Sequence, residues 1–303
     1  MTAEPYHIPA LLPQTLEALD IKPSGIYVDA TYGGGGHSRA IVERLSPQGH
    51  LYGFDQDRDA VAGAISDPRF TMVYSNFRYL SNFMRYYGVE AVDGVLADLG
   101  VSFHHFDDAD RGFTFRDMTA PLDMRMNRQS TLTAASVLES YDADALAGIF
   151  RLYGEVRDSR RLAAAIVRRR ATRPLLTAGD LLEVAEPLLN PARRKKEMAQ
   201  IFQALRIVVN DEIGALRSLL EASLKVLAPG ARLAVITYHS LEDRLVKNFM
   251  RSGNLEGDIE KDFFGRSVSP LKLLNSKPIV PDQDEIEANP RSRSAKLRVA
   301  EKL

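Results

Sequence analysis

The chain has 303 residues, 45 % of them hydrophobic and 26 % charged, with a formal net charge of −1 and no cysteine. This composition is that of a water-soluble globular protein, and the absence of cysteine excludes disulfides, Cys-ligated zinc and thiol catalysis. No apolar run approaches the ~20 residues that cross a bilayer, and the N-terminus lacks a basic segment followed by an apolar core. We therefore expect a cytoplasmic protein with no membrane partner.

Short apolar runs rich in β-branched and aromatic residues predict strands over 26–30, 50–54, 70–74 and 92–98, the pattern of strands buried on both faces. Helical patterns lie between them at 37–45, 57–65 and 77–87. This alternation implies βαβ units and a parallel sheet. After Asp98 it stops. Residues 107–127 read as a loop, and from 131 to 206 the pattern is helical, with Ser159 as the expected N-cap of the segment SRRLAAAIVRRR. A helix is predicted over 178–189, and one helix or two over 197–227, stopped by Ala-Pro-Gly at 228–230. Strand character returns at 231–238, and a further helix is followed by a last strand near the C-terminus. We read an α/β domain, 1–106 with 207–303, interrupted by an inserted all-helical domain, 107–206.

The turn after the first strand is DATYGGGGHS, residues 29–38. Four glycines at a strand-to-helix turn allow a tight bend and close approach of a ligand to the backbone. The second strand ends at Asp55, 22 residues after Gly33, where a carboxylate can accept hydrogen bonds from ribose hydroxyls. Together they read as a site for an adenosine-containing cofactor. There is no G-x-x-x-x-G-K-[ST] and no regular G-x-G-x-x-G, which leaves S-adenosylmethionine (SAM) or a degenerate NAD site. The six histidines show no metal-ligand spacing, and we expect no metal.

With DATYGGGGHS stand LADLGVS, RGFTFRD, PLDMRM, YGEVRDSRRLAAAIV, FQALRIVVNDE, TYHSLEDRLVKNFM and ANPRSRSAKLRVAE, in that order. In these blocks the chain resembles the MraW/RsmH family of SAM-dependent methyltransferases, which modify the N4 amino group of a cytidine in 16S ribosomal RNA of the small ribosomal subunit. The resemblance implies a class I methyltransferase fold, Rossmann-like with a mostly parallel sheet, and makes a homodimer plausible. It implies cofactor contacts at Gly35, Gly36 and His37, a ribose contact at Asp55, an adenine neighbour at Phe77, a closing carboxylate at Asp98 and a further contact at His105. The family commonly has S-S-P-Q-L-D where this chain has Ser102-Phe103-His104-His105-Phe106-Asp107, so His105 replaces a Gln there.

The cytosine amino nitrogen is a poor nucleophile because its lone pair is delocalised into the ring. Polar acceptors for its N–H groups, together with positioning, are the means of catalysis open to side chains. Asp98 and His239 are the candidate catalytic residues, with a helix-capping role as the alternative for His239. Residues 151–206 hold thirteen Arg or Lys against six Asp or Glu. Arg168, Arg169, Arg170, Arg173 and Arg193 to Lys196 are thus expected phosphate contacts, joined by Arg291 and Arg293. Phe113 and Phe115 are candidates for stacking on an unpaired base, or else for packing the insertion. Two other functions remain open to the sequence: an NAD-linked Rossmann oxidoreductase, and a non-catalytic SAM-binding ribosome-assembly factor.

Overall fold

A computed structural model describes residues 9–100, 108–265 and 267–303. After a first helix, α1 (Leu12–Leu19), strands and helices alternate: β1 (Ile26–Asp29), α2 (Gly36–Val42), β2 (His50–Asp55), α3 (Arg58–Ala62), β3 (Phe70–Tyr74), α4 (Leu80–Tyr86) and β4 (Val92–Asp98). The chain divides into two compact units, Met1–Gly100 with Gly214–Leu303, and Val101–Ile213. The second unit extends past residue 206 because helical character continues through α9, named below, to Asn210.

The first unit is built on a seven-stranded sheet. Its later strands are β5 (Leu227–Thr237), β6 (Leu271–Leu273) and β7 (Lys296–Lys302), and the order is β3-β2-β1-β4-β5-β7-β6. β3, β2, β1, β4 and β5 run parallel, and β7 is antiparallel to both its neighbours. The mostly parallel sheet is the one expected from the alternation of strands and helices, and its order agrees with the fold that the resemblance implies. Because side chains alternate along a strand, Tyr27, Leu51, Leu96 and Ile236 enter one buried cluster. Val28, Tyr52, Val95 and Val235 enter another. Each fully buried side chain of this size contributes roughly 1.5–3 kcal/mol relative to exposure.

The parallel arrangement brings the ends of β1, β2, β3 and β4 to one edge, where Asp55 pairs with Tyr74 and Asp98 with Ile236. Strand order reverses between β1 and β4, and ligands of open α/β sheets bind at such a reversal.

The second unit is helical: α5 (Ala134–Ser140), α6 (Ala143–Gly154), α7 (Ser159–Arg170), α8 (Ala178–Ala185) and α9 (Arg194–Asn210). Its core gathers Leu138, Leu146, Phe150, Leu162, Ile166 and Phe202, among others. The segment expected as one or two helices is two. α9 ends at Asp211, whose φ of +46° is left-handed, and α10 (Glu212–Val226) follows.

Two local expectations are corrected. Ser159 is the first helical residue of α7 and is buried, while Asp158 holds the cap position without a side-chain hydrogen bond. Ala228-Pro229-Gly230 does not separate α10 from β5 but lies within that strand's span. There the pairing jumps from Val92–Leu227 to Gly94–Arg232. A bulge of this kind accommodates a proline that has no N–H to give to the ladder.

Candidate active site

The turn after β1 owes its shape to two glycines in particular. Gly33 and Gly35 have φ of +53° and +75°, a region that costs other L-residues roughly 1–2 kcal/mol. A Cβ on Gly35 would lie 2.5 Å from the Tyr32 hydroxyl, and one on Gly36 would lie 2.9 Å from the Pro9 ring. At Gly33 the nearest atom would be 3.9 Å away, so the loop is open on that side. Part of the glycine run thus answers to close packing within the protein, and part leaves room beside the backbone.

Asp55 closes this loop. One carboxylate oxygen accepts the Gly33 N–H at 2.9 Å and the other accepts the Asp57 N–H at 2.8 Å. These bonds fix the orientation of the carboxylate at the strand tip. Beyond β3, the Asn76 side chain caps a short 3₁₀ turn, Phe77–Tyr79, and donates to Gln56 Oε1 at 2.9 Å. This ties the half-buried Phe77 to the end of β2.

Asp29 is buried and accepts from Ser38 Oγ at 2.6 Å and from Thr31 N at 3.1 Å. Thr31 Oγ1 in turn accepts the Asp98 N–H at 2.6 Å. The edges of β1 and β4 are thereby locked together.

The Asp98 side chain is 18 % exposed. Gly100 N donates to its Oδ1 at 3.1 Å, and the Tyr238 ring and Asp98 Oδ1 lie 2.9 and 3.1 Å from where a Gly100 Cβ would stand. His37 Nδ1 stands 3.9 Å from Oδ2, while His37 Nε2 donates to the Ala10 carbonyl at 3.1 Å. His37 therefore contributes a fixed, buried imidazole and not only a backbone contact. Burial pushes the Asp98 carboxyl above the usual carboxylate range, against the opposing pull of His37, the Gly100 N–H and Tyr238.

His239 lies at the N-cap of α11 (Ser240–Ser252). Its Nδ1 accepts the Glu242 N–H over a long 3.5 Å, and its Nε2 is 2.9 Å from Glu242 Oε1. This is the helix-capping arrangement. The side chain placed beside Asp98 at the end of β5, packed with it around Gly100, is instead its neighbour Tyr238, which sequence reasoning passed over. No spacing rule marks a tyrosine that meets an aspartate 140 positions away. His105 lies outside the described residues.

In the helical unit the basic residues divide by role. Arg170 donates to the Leu138 and Tyr141 carbonyls at 2.6 Å each, and Arg169 pairs with Glu183 at 3.2 Å. Both are structural, which corrects their reading as free phosphate contacts. Arg168 and the run Arg193, Arg194, Lys195 and Lys196 are exposed, although Arg194 also pairs with Glu186 at 2.7 Å. Phe113 is buried in this unit's own core, and Phe115 packs edge-on against Phe202 with centroids 5.3 Å apart. Packing, not base stacking, accounts for both. Arg291 and Arg293 lie exposed on a 3₁₀ turn of the first unit.

Comparison with known proteins bears on both units. The model of the MraW methylase family matches residues 4–303. The chain is 60 % identical over 299 residues to the Ribosomal RNA small subunit methyltransferase H of Parabacteroides distasonis, covering 98 % of each. It is 59 % identical over 297 residues to the protein of that name from Phocaeicola vulgatus, covering 98 % of this chain and 97 % of the relative. The Porphyromonas gingivalis protein of the same name is 55 % identical over 302 residues, with 98 % and 97 % covered.

Proposed function

This chain belongs to the MraW methylase family, and on that premise we propose that it methylates the N4 amino group of a cytidine in 16S ribosomal RNA. The observation that carries this reading is 60 % identity, over 98 % of both chains, to a relative named as a small-subunit rRNA methyltransferase. That likeness spans the sheet unit and the helical unit alike. S-Adenosylmethionine is the methyl donor, and NAD chemistry is set aside by the family.

The residues at the carboxyl edge of the sheet fit such a donor. The open side of Gly33 admits a ligand against the backbone, and the Asp55 carboxylate, oriented by two N–H groups at the strand tip, is an acceptor of the kind suited to ribose hydroxyls. We assign Gly35, Gly36 and His37 to the wall of the donor site, Phe77 to the adenine side, and His105 to a further contact. The bound donor supplies an electrophilic methyl group on a sulfonium.

Asp98 is the side chain best suited to accept hydrogen bonds from the cytosine amino group. Its carboxylate is oriented from several sides, and an acceptor aimed at developing positive charge needs no reorganisation during the reaction. His239, engaged with Glu242, stands second to it. The exposed Arg168, Arg193, Lys195 and Lys196 suit phosphate contacts, which set the orientation of RNA without reading its sequence. The target base must leave its stack to be reached. The small ribosomal subunit as substrate, a homodimer and a cytoplasmic location belong to the same reading. Among the described residues no helix is long and apolar enough to cross a membrane.

The test is transfer of labelled methyl from SAM to small ribosomal subunits that lack the modification, followed by nucleoside analysis. Label in N4-methylcytidine is the expected result. SAM binding with no transfer would favour the assembly-factor reading.

A further inference from the structure

The outer face of α4 carries tyrosines where a surface helix usually carries charges. Leu80 and Met84 turn inward and are buried, which leaves Tyr79, Asn82 and Tyr86 outward at i, i+3 and i+7. Tyr79 is 51 % exposed and Tyr86 79 %. Seven residues of helix set them about 10 Å apart along its axis.

The stripe is held from beneath by other rings. Phe54, fully buried, meets Phe83 edge-on with centroids 5.7 Å apart, and Phe83 stacks on Tyr87 at 6.4 Å. Tyr87 in turn packs edge-on with Tyr86, centroids 5.2 Å apart and planes at 77°. Tyr86 is thus fixed on one side and open to solvent elsewhere. A ring already ordered loses little entropy when a partner lies on it.

Charge around the stripe has one sign. From residue 68 to residue 89 there are three arginines and no Asp or Glu. Arg69 pairs with Asp67, and Arg85, next to Tyr86 in the chain, is exposed. Phe263 offers the contrast. It is 98 % exposed on another loop of the same unit, yet Glu260 and Asp262 precede it. Exposed aromatics beside a cation suit a polyanion that carries bases, whereas carboxylates beside an aromatic repel one.

We propose that the outer face of α4, Tyr79 to Tyr86 with Arg85, is a docking surface for single-stranded RNA. Its tyrosines stack on unpaired bases and Arg85 meets phosphate. This rests on the rRNA substrate given above. The stripe begins on the 3₁₀ turn that also carries Phe77, so it starts at the sheet edge assigned to the donor. Stacking accepts every base, so the surface adds affinity and direction without reading sequence.

Tyr79→Leu combined with Tyr86→Leu keeps apolar bulk and removes both rings. The probe is fluorescein-labelled oligouridylate, read by fluorescence anisotropy. We expect its affinity to fall about tenfold in the double variant, with the melting temperature unchanged. Tyr79→Phe combined with Tyr86→Phe should bind as the wild type does. Arg85→Ala should lower the salt slope by about 0.7, one phosphate contact on a single strand. Phe263→Leu should leave RNA affinity in place. The same oligonucleotide carrying bromouridine should crosslink to Tyr79 or Tyr86 under long-wavelength light.

Unchanged affinity in the double leucine variant overturns the proposal, and so does crosslinking confined to other residues. A change from dimer to monomer in that variant, with RNA affinity kept, also overturns it and assigns the face to a second copy of the chain. Failure of the wild type to methylate small subunits, with the stripe still binding RNA, would strike the functional reading instead.

Discussion

Asp98 in the sheet unit and Asp180 in the helical unit are both largely buried carboxylates, and their surroundings treat them in opposite ways. Asp180 accepts from Thr177 Oγ1 at 2.9 Å, from Thr177 N at 3.0 Å and from Leu176 N at 3.1 Å, and it pairs with Arg173 at 3.1 Å. Burial alone would raise its pKa, but those hydrogen bonds and that guanidinium outweigh it and hold the carboxyl below the usual range. Among the described residues no arginine pairs with Asp98. Burial dominates there, and its carboxyl is held above the usual range. The difference separates a charge that the fold needs from a charge that the fold tolerates, and a perturbed group of the second kind marks a site of chemistry.

Replacing each carboxylate should therefore give opposite results. Asp98→Asn keeps an oxygen for the Gly100 N–H and loses the charge. We expect methyl transfer to fall about 10²–10³-fold, the scale of losing one aimed electrostatic partner. Stability should move the other way. The folded pKa of Asp98 lies above the unfolded one, so ionisation opposes folding once pH exceeds the ordinary carboxylate range. Thermal melting at neutral pH should accordingly show Asp98→Asn level with the wild type or above it. A lower melting temperature would mean that Asp98 is a structural charge like Asp180.

Asp180→Asn should show the reverse, a loss of about 2 kcal/mol from weakened charged hydrogen bonds with SAM affinity unchanged. Its pH dependence has a definite sign. The folded pKa of Asp180 is depressed, so its contribution is complete above the unfolded value near 3.8 and is lost as pH falls through the folded one. Urea melts across acid pH should thus find the gap between wild type and Asp180→Asn closing below that value. A gap of constant size would show that charge is not what matters at this position.

The remaining effects concern neighbouring arginines of α7. Arg170→Ala removes two carbonyl contacts and should cost about 2 kcal/mol of stability. Arg168→Ala should leave melting unchanged while weakening rRNA binding severalfold and reducing its salt slope by about 0.7–0.9 for a single phosphate contact. Filter binding at several salt concentrations measures this. Equal melting losses for the two variants would remove the distinction drawn between them.

Much of the molecule was legible in the chain itself. The apolar runs at 26–30, 50–54, 70–74 and 92–98 mark the parallel strands, because a strand buried on both faces has no polar side to show. The glycine run and Asp55 announce a ligand edge, because close backbone approach and a carboxylate at a strand tip are local requirements. The ends of elements were less legible. Ala-Pro-Gly at 228–230 is a helix stop by composition, yet a register break against β4 absorbs it into β5.

What belonged to the sequence alone was the set of elements, their order and the residue types gathered at the strand ends, since hydrophobic period and turn chemistry act over a few positions. Pairing was decided only by the tertiary structure. Folding sets Tyr238 rather than His239 beside Asp98, turns Arg170 inward beside an exposed Arg168, and decides for Phe113 between base stacking and packing by burying it. Each of these depends on which distant group fills the space around a side chain, and on whether burial or a partner governs its charge.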